Sequence, residues 1–135
     1  MEKETASAGL VVVDTSIFID YLRNYPPAIE YIQTIDREKE ITLLFSAITE
    51  TELISGKSCE TPIIRTGVLD MLNSFTKIEV TNQIALKAGD VCRIYKLATP
   101  DAVIAATALI NNAELITKNT KDFKGIPGLI VKNPY

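Results

Sequence analysis

Short runs of β-branched and aliphatic residues alternate along this chain with stretches whose apolar positions recur every three or four residues. Leu10-Val11-Val12-Val13 is the first such run, and it stops abruptly at Asp14-Thr15-Ser16. The run reads as a buried strand, and the amphipathic segment from about Ser16 to the residues before Tyr25-Pro26-Pro27 reads as a helix. Ile29, Ile32 and Ile35 recur at helical spacing and predict a helix from Pro27 to Glu38. A strand over Ile41 to Phe45 follows, then a helix carrying Thr49-Glu50-Thr51-Glu52-Leu53 that ends near Gly56. A loop from Lys57 to Thr61 leads into a helix from Pro62 to about Asn73. A brief strand, Lys77 to Val80, precedes a helix from Gln83 to about Lys96. Thr99-Pro100-Asp101 then opens an alanine-rich helix. Thr99 suits its N-cap, Pro100 its first turn and Asp101 the positive end of its dipole. Leu115 to Thr117 is a strand, Asn119 to Asp122 a turn, and Leu129 to Val131 the last strand. Strands alternating with helices predict an α/β fold, a three-layer α/β/α sandwich around a mostly parallel central sheet of about five strands.

Composition narrows this picture. The chain has 135 residues, which suits a single domain over residues 10–135 behind a flexible polar tail of residues 1–9. The start lacks the apolar region of a signal peptide, and no apolar run approaches the ~20 residues needed to span a bilayer. A cytoplasmic protein without a membrane partner is the expectation. Cys59 and Cys92 are isolated, without metal-ligand spacing, and read as free thiols. The net charge of −3 argues against binding nucleic acid through general basicity. A metal ion can still supply positive charge at a reaction centre. The chain has no His, so no Ser or Cys has the partner that an activated nucleophile needs.

Candidate chemistry centres on carboxylates. Asp14 falls where a central strand ends and a helix begins, and ligands of open α/β sheets bind just outside that edge. Glu52, Asp101 and Asp122 stand at equivalent turns. Four carboxylates converging without His or paired Cys describe a site for a hard cation, Mg²⁺ or Mn²⁺. Each acid also has a plainer reading. Asp14 could cap a helix, Asp101 could complement a dipole, Thr49 to Glu52 fits a capping box, and Asp122 could be a turn acid. Periodicity does not separate Glu52 from Glu50, which project about 200° apart. Gly56, one turn beyond Glu52, leaves open space on the Glu52 face. Asp20 and Asp90 read as solvated helix-face residues, and Tyr21, Tyr31 and Tyr95 as packing or interface residues. Lys57, Lys118, Lys121, Lys124 and Arg93 either ring the cleft and hold phosphates or form a solvated surface. Tyr25, Ile29, Tyr31 and Ile32 either offer apolar surface to a partner or pack inside.

Taken in order, several blocks resemble one family. They are Asp14-Thr15-Ser16, then Ser46-Ala47-Ile48-Thr49 with Glu52-Leu53 and Gly56, then Asp101-Ala102-Val103-Ile104-Ala105-Ala106-Thr107-Ala108. Thr117-Lys118-Asn119 with Asp122-Phe123 follows, and the ending runs from Ile126-Pro127-Gly128-Leu129 to Pro134. Together they look like a PIN-domain ribonuclease, of the VapC type found as the toxin of bacterial and archaeal toxin–antitoxin pairs. The likeness covers the chain from Leu10 onward. Ser58 to Lys77 carries no family motif, and Thr99-Pro100 stands where the family often has a further acid.

The resemblance implies a metal-dependent endoribonuclease toxin that cleaves structured cellular RNA. It also implies a homodimer and a cognate VapB-like antitoxin whose C-terminal segment wraps the toxin. Asp14 and Asp101 would be ligands of Mg²⁺, with Mn²⁺ able to substitute. Glu52 and Asp122 would complete the acidic ring, binding a second metal or orienting the attacking water. Asn119 would hold a ligand or phosphate. Thr15 or Ser16 would hydrogen-bond Asp14 or a water on the metal, with Thr117 among the supporting residues. Two alternatives stay open: a non-catalytic interaction module of the same fold, and a metal-dependent phosphohydrolase with Asp14 as nucleophile. Such phosphohydrolases commonly need a second Asp two residues later, where this chain has Ser16.

Overall fold

Five short strands carry the architecture in the computed structural model, which describes residues 9–135. They are β1 (Leu10–Val13), β2 (Thr42–Ser46), β3 (Thr76–Ile78), β4 (Glu114–Ile116) and β5 (Val131–Lys132). All pairings are parallel, in the order β3-β2-β1-β4-β5. Parallel neighbours need crossovers, and helices supply them. Helices α1 (Thr15–Leu22) and α2 (Pro26–Arg37) join β1 to β2. Helix α3 (Ala47–Ile54), a 3₁₀ turn (Lys57–Glu60) and α4 (Pro62–Leu72) join β2 to β3. Helices α5 (Asn82–Tyr95) and α6 (Thr99–Ile110) return the chain to β4, and the short α7 (Thr120–Phe123) precedes β5.

The chain steps outward from β1 to β3, then crosses back to the other side of β1. Right-handed crossovers place the outgoing helices on one face and the returning helices on the other. The two cores follow this division. Val12, Leu44 and Leu115 pack with Ile84, Val91 and Ile104 of α5 and α6. Val11, Val13, Leu43, Phe45 and Ile116 point the opposite way, onto Phe18, Ile32 and Leu72. Alternate strand residues thus enter alternate cores, and the result is the three-layer sandwich the sequence predicts, with a sheet that is parallel throughout. Helix α6 is buried at every position from Ala102 to Ala108. It is apolar all round because it lies inside.

Local boundaries differ from expectation for specific reasons. The N-cap of α6 is Ala98, whose carbonyl accepts from the Ala102 N–H at 2.9 Å, so Thr99 is already helical. Strand β3 ends at Ile78, not Val80, because its partner β2 ends at Ser46, the residue paired with Ile78. Leu129 is not in β5: its N–H closes a turn on the Ile126 carbonyl, next to Gly128 with φ +84°. Of the expected tail, residues 1–8 lie outside the described residues. Gly9 forms a turn with φ +85°, and its carbonyl accepts from the Thr42 N–H at 2.6 Å. A Cβ there would run into the Glu40 carbonyl, so glycine alone fits this entry to the sheet. Cys59 and Cys92 are free thiols. Among the described residues no helix is long and apolar enough to cross a membrane.

Candidate functional site

Strands β1 and β4 are neighbours at the point where the chain reverses its direction across the sheet, and a crevice opens at their carboxyl ends. Val13 pairs with Ile116, so the next residues, Asp14 and Thr117, meet at that edge. The Asp14 N–H extends the ladder by donating to the Ile116 carbonyl at 2.9 Å. Asp14 is 4% exposed. It occupies the N-cap position of α1, but its side chain makes no capping hydrogen bond. Instead Oδ2 accepts from Ser16 Oγ and Thr117 Oγ1, both at 2.8 Å. Thr117, itself fully buried, accepts from the Asn119 N–H at 3.0 Å. These donors offset the cost of burying a carboxylate. Among the described residues nothing hydrogen-bonds Asp14 Oδ1.

Helix α3 brings Glu52 to the same edge. Its cap is Ser46, whose Oγ accepts from the Ile48 N–H at 3.1 Å, so Thr49 to Glu52 is no capping box. Thr49 is buried, with Oγ1 2.9 Å from Thr15 Oγ1, while Thr15 donates to Glu52 Oε1 at 2.7 Å. Thr15 has one hydroxyl hydrogen and gives it to Glu52, so Thr49 is the donor to Thr15. Glu50 leaves in another direction and pairs with Lys77 at 3.4 Å. Glu52 and Gly56 line one cavity of about 260 Å³, the open space expected beside Glu52.

Asp101 lies half-buried in the first turn of α6. Burial pushes its pKa up, and the charges of Asp14, Glu52 and Asp122 push it further. The four expected acids therefore share one electrostatic field. Asp122 is exposed on α7. Asn119 sits at the N-cap of α7, exposed, with no side-chain capping bond. The acids do not close into a cage: among the described residues no group of three or more His, Cys, Asp or Glu stands close enough to hold a metal ion. The donor set is nevertheless all hard oxygen. One buried carboxylate has a bare oxygen, and a second resists ionisation because of burial and then of its acidic neighbours. That suits Mg²⁺ or Mn²⁺, which take one or two carboxylates and keep several waters.

Other expectations are corrected. Asp20 is not a solvated helix-face residue: its side chain is 13% exposed and meets Lys118 Nζ at 2.8 Å and the Tyr135 hydroxyl at 2.8 Å. Burial pushes its pKa up, but the hydrogen bonds from Lys118 and Tyr135 win and hold it below the usual value. Periodicity could not show this, because both partners are distant in sequence. Arg93 pairs with Asp90 at 3.1 Å on an exposed face of α5. Lys118 and Lys121 do line a cavity with Asn119 and Asp122. Of the four residues read as a contact surface, Ile32 is buried and Ile29 and Tyr31 are partly buried. The Tyr31 hydroxyl is pushed up to about 12 by burial and by the charge of Glu114. Tyr25 stays exposed.

Comparison with known proteins agrees with this fold. The PIN domain family matches residues 11–129. Ribonuclease VapC19 of Mycobacterium tuberculosis is 31% identical over 134 residues, covering 92% of this chain and 98% of that protein. Ribonuclease VapC10 of the same organism is 31% identical over 120 residues, covering 84% and 86%. A chain of a toxin–antitoxin complex from Klebsiella pneumoniae superposes with a TM-score of 0.76 at 35% identity, covering 93% of this chain and 98% of that one.

Proposed function

The chain belongs to the PIN-domain family, and from that premise we propose that it is an endoribonuclease toxin, dependent on Mg²⁺ or Mn²⁺ and restrained by a VapB-like antitoxin. The observation that carries this reading is Asp14. It is a buried carboxylate at the sheet's switch point, with one oxygen fixed by two hydroxyls and the other bare. The ribonuclease names of the 31%-identical relatives and the toxin–antitoxin neighbour support the reaction and the partner.

Asp14 and Asp101 would hold the cation. Ser16 and Thr117 keep the Asp14 carboxylate in one orientation, and Thr15, backed by Thr49, does the same for Glu52. When bound, a hard divalent cation supplies positive charge to the phosphodiester and makes water easier to deprotonate. Glu52 and Asp122 would orient the attacking water or hold a second cation, and Asn119 would offer an uncharged polar contact to phosphate. An acidic site of this kind is silenced by a partner that covers it or inserts an Arg or Lys side chain among Asp14, Glu52 and Asp101.

Incubation with total cellular RNA tests the reading. Wild type should cut at discrete positions with Mg²⁺ or Mn²⁺ and not with EDTA, and Asp14→Asn should not cut. RNA left intact with metal present, or cut equally in EDTA, overturns it.

A further inference from the structure

Beside the acidic site, a cavity of about 610 Å³ opens between the α1–α2 junction and residues 133–135. Arg23, Tyr25, Lys118, Asn133 and Tyr135 line it together with Asp20. Arg23 also lines the cavity that contains Glu52. Lys118 and Asn133 also line the cavity of about 380 Å³ that contains Asp122. The three spaces are neighbours that share lining residues, Arg23 with the cavity of Glu52 and Lys118 and Asn133 with the cavity of Asp122. A polyanion approaching four carboxylates needs cations along its way, and Arg23 and Lys118 are the cations among those shared residues.

The side chains of the first cavity suit one nucleotide. Lys118 is fixed by Asp20 at 2.8 Å. Arg23 feels the charge of Asp20 but makes no ion pair with it among the described residues, so its guanidinium keeps donors for a phosphate. Tyr25 is 47% exposed, and its ring meets that of Tyr135 edge to face, 5.5 Å between centroids and 67° between planes. Tyr135 is anchored in turn by its hydroxyl on Asp20. Tyr25 is thus a braced aromatic surface that lines one cavity with the Arg23 cation, the pairing that single-stranded nucleic acid uses for base and backbone.

We propose that this cavity is a nucleotide-binding subsite for single-stranded RNA flanking the scissile phosphate, with the base on Tyr25 and a phosphate on Arg23. The proposal rests on the ribonuclease reading above and names where the substrate strand runs.

The test is equilibrium binding of a short labelled single-stranded RNA in EDTA, where cleavage does not intervene. Arg23→Ala and Tyr25→Ala should each weaken binding by about tenfold. Arg23→Ala should also flatten the salt dependence, whereas Tyr25→Ala should leave its slope unchanged. Tyr25→Phe keeps the ring and should bind like wild type. Lys39→Ala, which removes an exposed charge just before β2 at the opposite edge of the sheet, should have no effect. Melting temperatures confirm that each variant is folded. Cleavage by wild type with unchanged RNA affinity in both alanine variants overturns the subsite alone. RNA held through Arg23 and Tyr25 but never cut with metal overturns the ribonuclease reading alone. Unchanged RNA affinity with loss of the antitoxin complex would make the cavity a protein-docking surface and overturn the proposal.

Discussion

Ser16 Oγ and Thr117 Oγ1 share one oxygen of Asp14, and Thr117 is itself held by the Asn119 N–H. Thr117→Val keeps the shape but removes a donor from a buried carboxylate and an acceptor from a backbone N–H. It should lower stability by about 1–3 kcal/mol, read as a shift of the denaturant midpoint, and reduce cleavage. An unchanged midpoint would show that these bonds are replaced by water. Asp101 makes a second prediction. Its folded pKa is raised above the ordinary 3.8, by burial first and then by three neighbouring acids. A raised value means that the folded chain holds this proton more tightly. That stabilising contribution is complete below 3.8 and is lost as pH rises through the folded pKa. In EDTA, Asp101→Asn should therefore melt above wild type at neutral pH, and the gap should close as pH falls towards 3.8. A gap that is constant across this range would show that the four acids do not share a field. At this scale the residue types were legible: an acid after a buried strand and another opening a helix. Thr49 was not, because a buried hydroxyl inside a helix declares itself only when Thr15 arrives from another element.

Helix α3 shows how a cap decides chemistry. Ser46 starts the helix, which fixes its phase and sends Glu52 to Thr15 and Glu50 to Lys77. Glu52→Gln should lower cleavage about a hundredfold or more while the fold survives. Glu50→Gln breaks only an exposed ion pair, worth about 0–1 kcal/mol, and should keep most activity. The opposite ranking in a side-by-side cleavage assay would exclude Glu52 from the reaction. Helix α1 is set by Phe18, fully buried against Phe45 at 6.0 Å and Phe75 at 6.2 Å. Phe18→Ala should cost about 3–5 kcal/mol and also impair cleavage, since α1 carries Thr15 and Ser16. Full activity at a lowered melting temperature would show that α1 is held by the rest of the sheet edge without that ring.

For the whole molecule, the prediction concerns the cation. Four acids in one field repel one another, and a cation binding only the folded state stabilises it. Mn²⁺ or Mg²⁺ should raise the melting temperature of wild type, and raise it less in Asp14→Asn and Asp101→Asn. Equal shifts in all three proteins would remove both residues from the ligand set. The sequence by itself determined the alternation of strands and helices and the three-layer class, and it named the four candidate acids, because periodicity and residue type are local properties. Element boundaries were less legible where a partner set them, as when β2 ends and takes β3 with it. Only the tertiary structure decided which glutamate reaches the site and that Asp14 is held by hydroxyls rather than by its own helix. It alone decided that Asp20 is partly buried under Lys118 and Tyr135. Each of these depends on side chains from separate elements meeting at the carboxyl edge of the sheet, and sheet order, not sequence spacing, brings them there.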